Sequence, residues 1–290
     1  MIDVPFSRRA HGWLVLARAS NLPTVWSNCL AGWWLGGGGF VAEAWPWLAA
    51  LLVGASALYT AGMFLNDVCD QAFDARFRPA RPIVAGLVSR RAALTAAVAL
   101  LAAGTALLGW LGWKTLVLAM ALDIFIVAYD TLHKRTAAGL GLMAGCRLLL
   151  YPLAASPLVL SAAAWIEGAL LASYVFGLSC LARGEHLPGR RPPRWPWWFI
   201  VLPVVGNAAL TAHVHPLNVI VVALPLFWLA RVGMGGTVPF GGSRVASLLA
   251  GIVLLDLSAV VAFAAVLPWL GWFAILFALA LLFQRFVPAT

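Results

Sequence analysis

Charge is scarce in this sequence. Asp, Glu, Lys and Arg make up 10% of its 290 residues, against roughly 25% in an ordinary soluble domain. With 63% hydrophobic residues and a mean hydropathy of +0.94, this excludes a water-soluble globular fold. Cysteine is also sparse. Cys29, Cys69, Cys146 and Cys180 form no C-x-x-C and have no histidine at ligand spacing, which argues against a zinc or dithiol site and reads as packed thiols. The glycine run at 36–39 lacks the Lys-Ser/Thr ending of a phosphate-binding loop and reads as a flexible connection. No short-period repeat, low-complexity tail or long linker divides the chain, so one integral domain over 1–290 is expected. The basic N-terminus has no small-residue cleavage site behind a short apolar core and is read as the first helix.

What is present in abundance is long apolar runs. A helix crosses the hydrocarbon core with about 20 mostly apolar residues. Such blocks fall near 13–35, 46–66, 91–111, 114–131, 138–156, 162–183, 196–212, 216–231, 245–265 and 269–285. Barrel strands alternate over about ten residues, whereas these runs are continuous and rich in Leu and Ala. The expected fold is all-α, a polytopic transmembrane bundle of about nine to ten spans.

The net charge of +9 would suggest a nucleic-acid partner in a soluble protein. Here the positions of the cations decide otherwise. Arg8, Arg9, Arg76, Arg78, Arg81, Arg90, Arg91, Lys134, Arg135, Arg183, Arg190, Arg191, Arg194, Arg231, Arg244 and Arg285 all fall on one side of a ten-span topology, leaving little but Lys114 opposite. The positive-inside rule puts both termini and the basic loops in the cytoplasm, in a bacterial-type inner membrane, with lipid and no nucleic acid as partner. Trp33, Trp34, Trp45, Trp47, Trp110, Trp113, Trp195, Trp197, Trp269 and Trp272 sit near the expected span ends, as an interfacial belt requires.

After the second apolar block comes "NDVCDQAFDARFRPARPI", residues 66–83. If the helix continues, Asp67, Asp70 and Asp74 share one face at i, i+3 and i+7. Like carboxylates at that spacing repel, and each loses hydration near the bilayer. A hard cation such as Mg²⁺ removes the repulsion and commonly shares carboxylates with phosphate oxygens. Arg76, Arg78 and Arg81 follow closely and suit phosphate. Mutual neutralisation in a solvated loop is the competing account.

The full stretch "NDVCDQAFDARFRPARPIVAGLVS" resembles the first aspartate-rich motif of the UbiA superfamily of intramembrane prenyltransferases, N-D-x-x-D-x-x-x-D followed by R-P and a glycine. Asn66, Asp67, Asp70, Asp74, Arg81, Pro82 and Gly86 supply each element. The phrases "GLSCLARGE" and "RASNLPTVWSN" resemble the EboC-like branch. The resemblance implies an all-helical bundle and a Mg²⁺-dependent enzyme, one that ionises a polyprenyl diphosphate and passes the prenyl group to a small acceptor, aromatic or otherwise nucleophilic. It implies Asp67, Asp70 and Asp74 as catalytic metal ligands. Asn66, Arg18, Arg78, Arg81, Lys134, Arg147 and Arg183 are then the diphosphate-binding residues.

Departures from that pattern leave alternatives open. The family's second acidic motif falls here at 179–195, where Glu185 is the lone acid. Glu185 and Arg183 are either a reduced metal and diphosphate contact or a surface ion pair. Lys134 lies one residue further from Tyr129 than the family spacing. Arg147, inside the fifth block, is a functional cation or the structural partner of Asp123. Asp123 and Asp130, at i and i+7, share a face turned toward the bundle. Asp256 reads as an interhelical hydrogen-bonding group, and Asn28 as either such a group or a polar residue of the site wall. A non-catalytic or transport-related protein that binds a prenyl or diphosphate-bearing lipid is the alternative to the enzyme, and the sequence leaves the oligomeric state open.

Overall fold

The protein is described by a computed structural model over residues 6–133, 136, 138–183, 193–211, 218–233, 244–263 and 267–289. All regular structure among these residues is helical: α1 (Phe6–Leu16), α2 (Leu22–Leu35), α3 (Trp45–Phe77), α4 (Arg90–Trp110), α5 (Trp113–Leu132), α6 (Gly139–Ala155), α7 (Ala162–Ala182), α8 (Pro196–Thr211), α9 (Asn218–Gly233), α10 (Arg244–Val261) and α11 (Leu267–Phe283), with short 3₁₀ turns before α2 and α3. Among the described residues, five helices are long and apolar enough to cross a membrane, and four shorter apolar helices accompany them.

Two boundaries differ from the sequence expectation. The first block, 13–35, is not one helix. It breaks at Arg18, whose backbone is left-handed at φ 44 and ψ 50, and a 3₁₀ turn over Ala19–Asn21 leads into α2. That conformation costs a non-glycine residue about 1–2 kcal/mol. The second block does not end at 66. The helix runs on to Phe77, so the acidic segment is three further helical turns and the connecting loop begins only at Arg78. At 1.5 Å per residue the 33 residues of α3 reach about 50 Å, well past a hydrocarbon core of about 30 Å. The acids therefore project beyond the apolar part of their own helix. The loop that follows turns through Gly86 at φ 72, where a glycine is needed, and Ser89 caps α4 by accepting from the Ala92 N–H at 3.1 Å.

Helix α2 is central, packed against α3, α6, α10 and α11, while α3 lies along α4 and α5. Small residues permit the close approach of α2 to α6. A Cβ on Gly32 would stand 2.5 Å from the Tyr151 carbonyl oxygen and 2.7 Å from the Ala154 methyl. Trp45, Trp47, Trp110, Trp113, Trp195 and Trp272 are exposed at helix ends as an interfacial belt would be. Trp33 is not part of it: 1% exposed, it belongs to the core. Among the four thiols, Cys29 and Cys180 are buried and Cys146 is half-buried, but Cys69 is exposed.

Candidate functional site

The acids at the end of α3 face inward. Asp67 and Asp74 are 2% exposed and Asp70 is 7% exposed, whereas Arg76 and Phe77 on the same turns are exposed. The i, i+3, i+7 spacing thus forms one buried stripe, and other elements supply its counter-charges. Arg18 reaches from the break between α1 and α2. Its Nη2 donates to Asn66 Oδ1 at 3.0 Å and to Asp67 Oδ1 at 3.3 Å, and its Nη1 contacts Met63 Sδ at 3.3 Å. The left-handed backbone at Arg18 turns its guanidinium across the stripe. From the loop after α3, Arg81 Nη1 approaches Asp67 Oδ2 at 3.9 Å. Burial and the neighbouring Arg18 charge lower the Arg81 pKa, with Asp67 opposing them.

Asp130 of α5 and His133, which caps the end of that helix, complete the cluster. His133 Nε2 lies 3.4 Å from Asp70 Oδ2, and its Nδ1 lies 3.0 Å from the Tyr129 carbonyl oxygen. Burial disfavours the imidazolium, yet the Asp70 carboxylate and that carbonyl outweigh it and raise the His133 pKa. Asp130 is 5% exposed, and its Oδ1 accepts from Asn66 Nδ2 at 3.2 Å. Asn66 is therefore a bridge between Arg18 on one side and Asp130 on the other. Neither His133 nor that pairing was anticipated from the sequence. The signal was present at the end of α5, where Asp130 and the capping His133 stand at i and i+3.

Beside the cluster lies a cavity of about 80 Å³, lined from three helices. Ala55, Tyr59, Gly62 and Met63 come from α3, Ile126, Tyr129 and Asp130 from α5, and Cys146, Arg147 and Leu150 from α6. Tyr59, Met63, Asn66 and Asp70 follow helical spacing along α3, so one face of that helix runs from the cavity into the acids. A largely apolar chamber opening onto a charged rim suits a ligand with an oily body and an anionic head.

Arg147 does not pair with Asp123, contrary to one reading of the sequence. Asp123 accepts from Thr105 Oγ1 at 2.6 Å. The Arg147 guanidinium donates to Asn28 Oδ1 at 2.6 Å and Thr24 Oγ1 at 3.1 Å. Asn28 Nδ2 in turn donates to both oxygens of Asp256, at 2.8 and 2.9 Å, and the same carboxylate accepts from Ser27 Oγ and, at 2.7 Å, from Tyr151 Oη. Asp256 thus acts between helices as the sequence suggested, and Asn28 takes the interhelical one of its two readings, joining α2, α6 and α10. Glu167 of α7, 2% exposed, is a further buried acid that the sequence reading passed over. An unpaired acid inside an apolar helix is itself the signal. With the Asn207 amide turned to satisfy its neighbours, its Nδ2 donates to Glu167 at 3.0 Å.

The structure therefore gathers Arg18, Asn66, Asp67, Asp70 and Arg81 in one cluster, with Asp74 on the same buried stripe, and puts Arg147 in the cavity wall. Arg78 caps the end of α3. Arg183 is exposed at the end of α7, and no ion pair joins it to the acids among the described residues. Lys134 and Glu185 lie outside the described residues.

Magnesium suits the donor set in kind. The acids offer hard oxygens, and Asp67 Oδ2 is buried without a hydrogen bond. Among the described residues, however, no three His, Cys, Asp or Glu side chains converge on one ion position. The fit is to an ion that takes one or two carboxylates and completes its shell with water and phosphate oxygens.

No protein-family profile matches the chain. A digeranylgeranylglyceryl phosphate synthase of Natronomonas pharaonis is 34% identical over 127 residues, covering 43% of this chain and 44% of that one. A digeranylgeranylglyceryl phosphate synthase of Methanothrix thermoacetophila is 36% identical over 113 residues, covering 38% and 42%. The match thus spans less than half the length of either curated relative. A solved structure described for digeranylgeranylglyceryl phosphate synthase in membranes superposes over 88% of this chain and 97% of its own, with a TM-score of 0.61 at 14% identity. The chain shares the helical fold of that membrane protein.

Proposed function

We propose that the protein is a UbiA-type intramembrane prenyltransferase, moving a prenyl group from a polyprenyl diphosphate to a small acceptor. The observation that carries this is the buried acid stripe of α3, flanked by Arg18 and Arg81 and continuous with an apolar cavity. The names of the two relatives, synthases of a doubly prenylated glyceryl phosphate, support the reaction class. One or two of Asp67, Asp70 and Asp74 would hold each Mg²⁺, which when bound would supply positive charge to the departing diphosphate. Arg18, Arg78 and Arg81, with Lys134, grip the diphosphate oxygens, and the cavity wall keeps water from the allylic centre. Within the superfamily we place the chain in the EboC-like branch on "GLSCLARGE" and "RASNLPTVWSN". The acid-cluster end faces the cytoplasm, in keeping with the distribution of arginine.

The test uses purified protein in detergent or nanodiscs with Mg²⁺ and radiolabelled geranylgeranyl diphosphate. Geranylgeranylglyceryl phosphate and 4-hydroxybenzoate serve as alcohol and phenol acceptors. A prenylated product with stoichiometric diphosphate release is expected from the wild type. Asp70→Ala is expected to abolish transfer while the protein remains folded and inserted, and wild-type turnover in that variant refutes its role.

A further inference from the structure

We propose that Asp130 is the general base of the transfer, receiving the proton that the acceptor gives up as its new bond to the prenyl group forms; this rests on the prenyl-transfer reading above. The reaction has a proton to place. The C1–O bond of the donor breaks with its electron pair leaving on the diphosphate. A lone pair of an acceptor hydroxyl, or the π electrons of a phenol ring, forms the bond to C1. The acceptor then carries one proton too many, and a mostly apolar lining offers few groups to take it. Asp130 is the one carboxylate lining the cavity among the described residues. It is 5% exposed, its Oδ1 is held by Asn66 Nδ2 at 3.2 Å, and its Oδ2 is buried with no hydrogen-bond partner.

The other polar groups of the cavity are poorer proton acceptors, since the Tyr129 phenol and the Cys146 thiol carry their own protons. The Tyr59 hydroxyl donates to the Arg18 carbonyl oxygen at 3.3 Å. Arg147 is a cation committed to Asn28 and Thr24. The His133 Nε2 is turned to Asp70, and His133 is not among the cavity residues. The chain of contacts from Arg18 through Asn66 to Asp130 fixes the base at the junction of charged rim and oily chamber. That junction is where a donor with its diphosphate among the acids would present C1. Asp130 Oδ2 thus takes the proton, and the products are the prenylated acceptor, diphosphate and a protonated Asp130 that later loses its proton to water at the acid-cluster end.

The test compares wild type with Asp130→Asn, which keeps an Oδ1 for the Asn66 amide. Both are assayed with geranylgeranyl diphosphate and whichever of geranylgeranylglyceryl phosphate or 4-hydroxybenzoate the wild type prenylates. Binding of unreactive geranylgeranyl thiodiphosphate is measured in parallel. The expected result is a fall in kcat of at least tenfold, toward the roughly 10²–10⁴-fold typical of one general base, with thiodiphosphate affinity within threefold of wild type. A fall smaller than tenfold overturns the assignment and points to the departing diphosphate as proton acceptor. Thiodiphosphate binding weakened more than threefold, or a tenfold rise in the Mg²⁺ required, also overturns it by making Asp130 part of the donor site. A wild type inert toward both acceptors overturns the transferase reading itself, and this assignment with it.

Discussion

Replacing Asp256 with alanine tests the interior of the bundle. This carboxylate is fully buried and accepts from Ser27 Oγ, Asn28 Nδ2 and Tyr151 Oη, three donors on α2 and α6. Interhelical hydrogen bonds in membranes average about 0.6 kcal/mol and reach about 1.7 kcal/mol, so three of them together contribute about 2–5 kcal/mol. The alanine variant also strands the Arg147 charge, which Asp256 balances through Asn28. Asp256→Asn should cost about 1–2 kcal/mol less than alanine, because its oxygen still accepts while its amide meets donors with nothing to accept. Reversible unfolding in mixed micelles, read by circular dichroism against mole fraction of SDS, gives both values. Equal stability of the two variants, or an alanine cost below ~1 kcal/mol, would refute the argument that this network joins α2, α6 and α10.

Three further outcomes follow from other parts of the molecule. Arg18→Gly and Arg18→Ala both lose the guanidinium held by Asn66 and Asp67, and each should weaken thiodiphosphate binding about tenfold or more, which is about 1.4 kcal/mol. The glycine variant should melt higher than the alanine, by about 1 kcal/mol of stability, because only alanine keeps the left-handed strain; a thermal melt in detergent decides. Gly32→Ala forces a methyl against the Tyr151 carbonyl and should destabilise by about 1–3 kcal/mol by the same micelle assay, whereas Gly39→Ala, where nothing stands within 4 Å, should not. Chelation by EDTA should stop prenyl transfer, with recovery on adding Mg²⁺, and activity that persists under chelation removes the metal from the acid site.

Along α3 the sequence was informative because its signals are local. Continuous apolar runs forced helices, and the i, i+3, i+7 spacing of Asp67, Asp70 and Asp74 forced one face, since helical geometry alone sets both. The length of α3 was underread because hydropathy ends where charge begins, although a helix does not. The break at Arg18 was passed over although "LARASNLP" carries a signal for it: Arg18, Ser20 and Asn21 interrupt the apolar run, and Pro23 stands in the first turn of α2.

By itself the sequence determined the solvent, the helical class and the place where acid accumulates, because burial of apolar surface and backbone hydrogen bonding in lipid leave a chain of this composition few options. Only the tertiary structure decided which charge meets which. Arg18 crosses to Asn66 and Asp67 from 48 and 49 residues away, and Arg147 finds Asn28 rather than Asp123. Asp130 reaches the cavity beneath the cluster because α5 lies against α3 and α6. Neutralising a buried charge is a matter of distance through space, and that distance is fixed by which helices pack together.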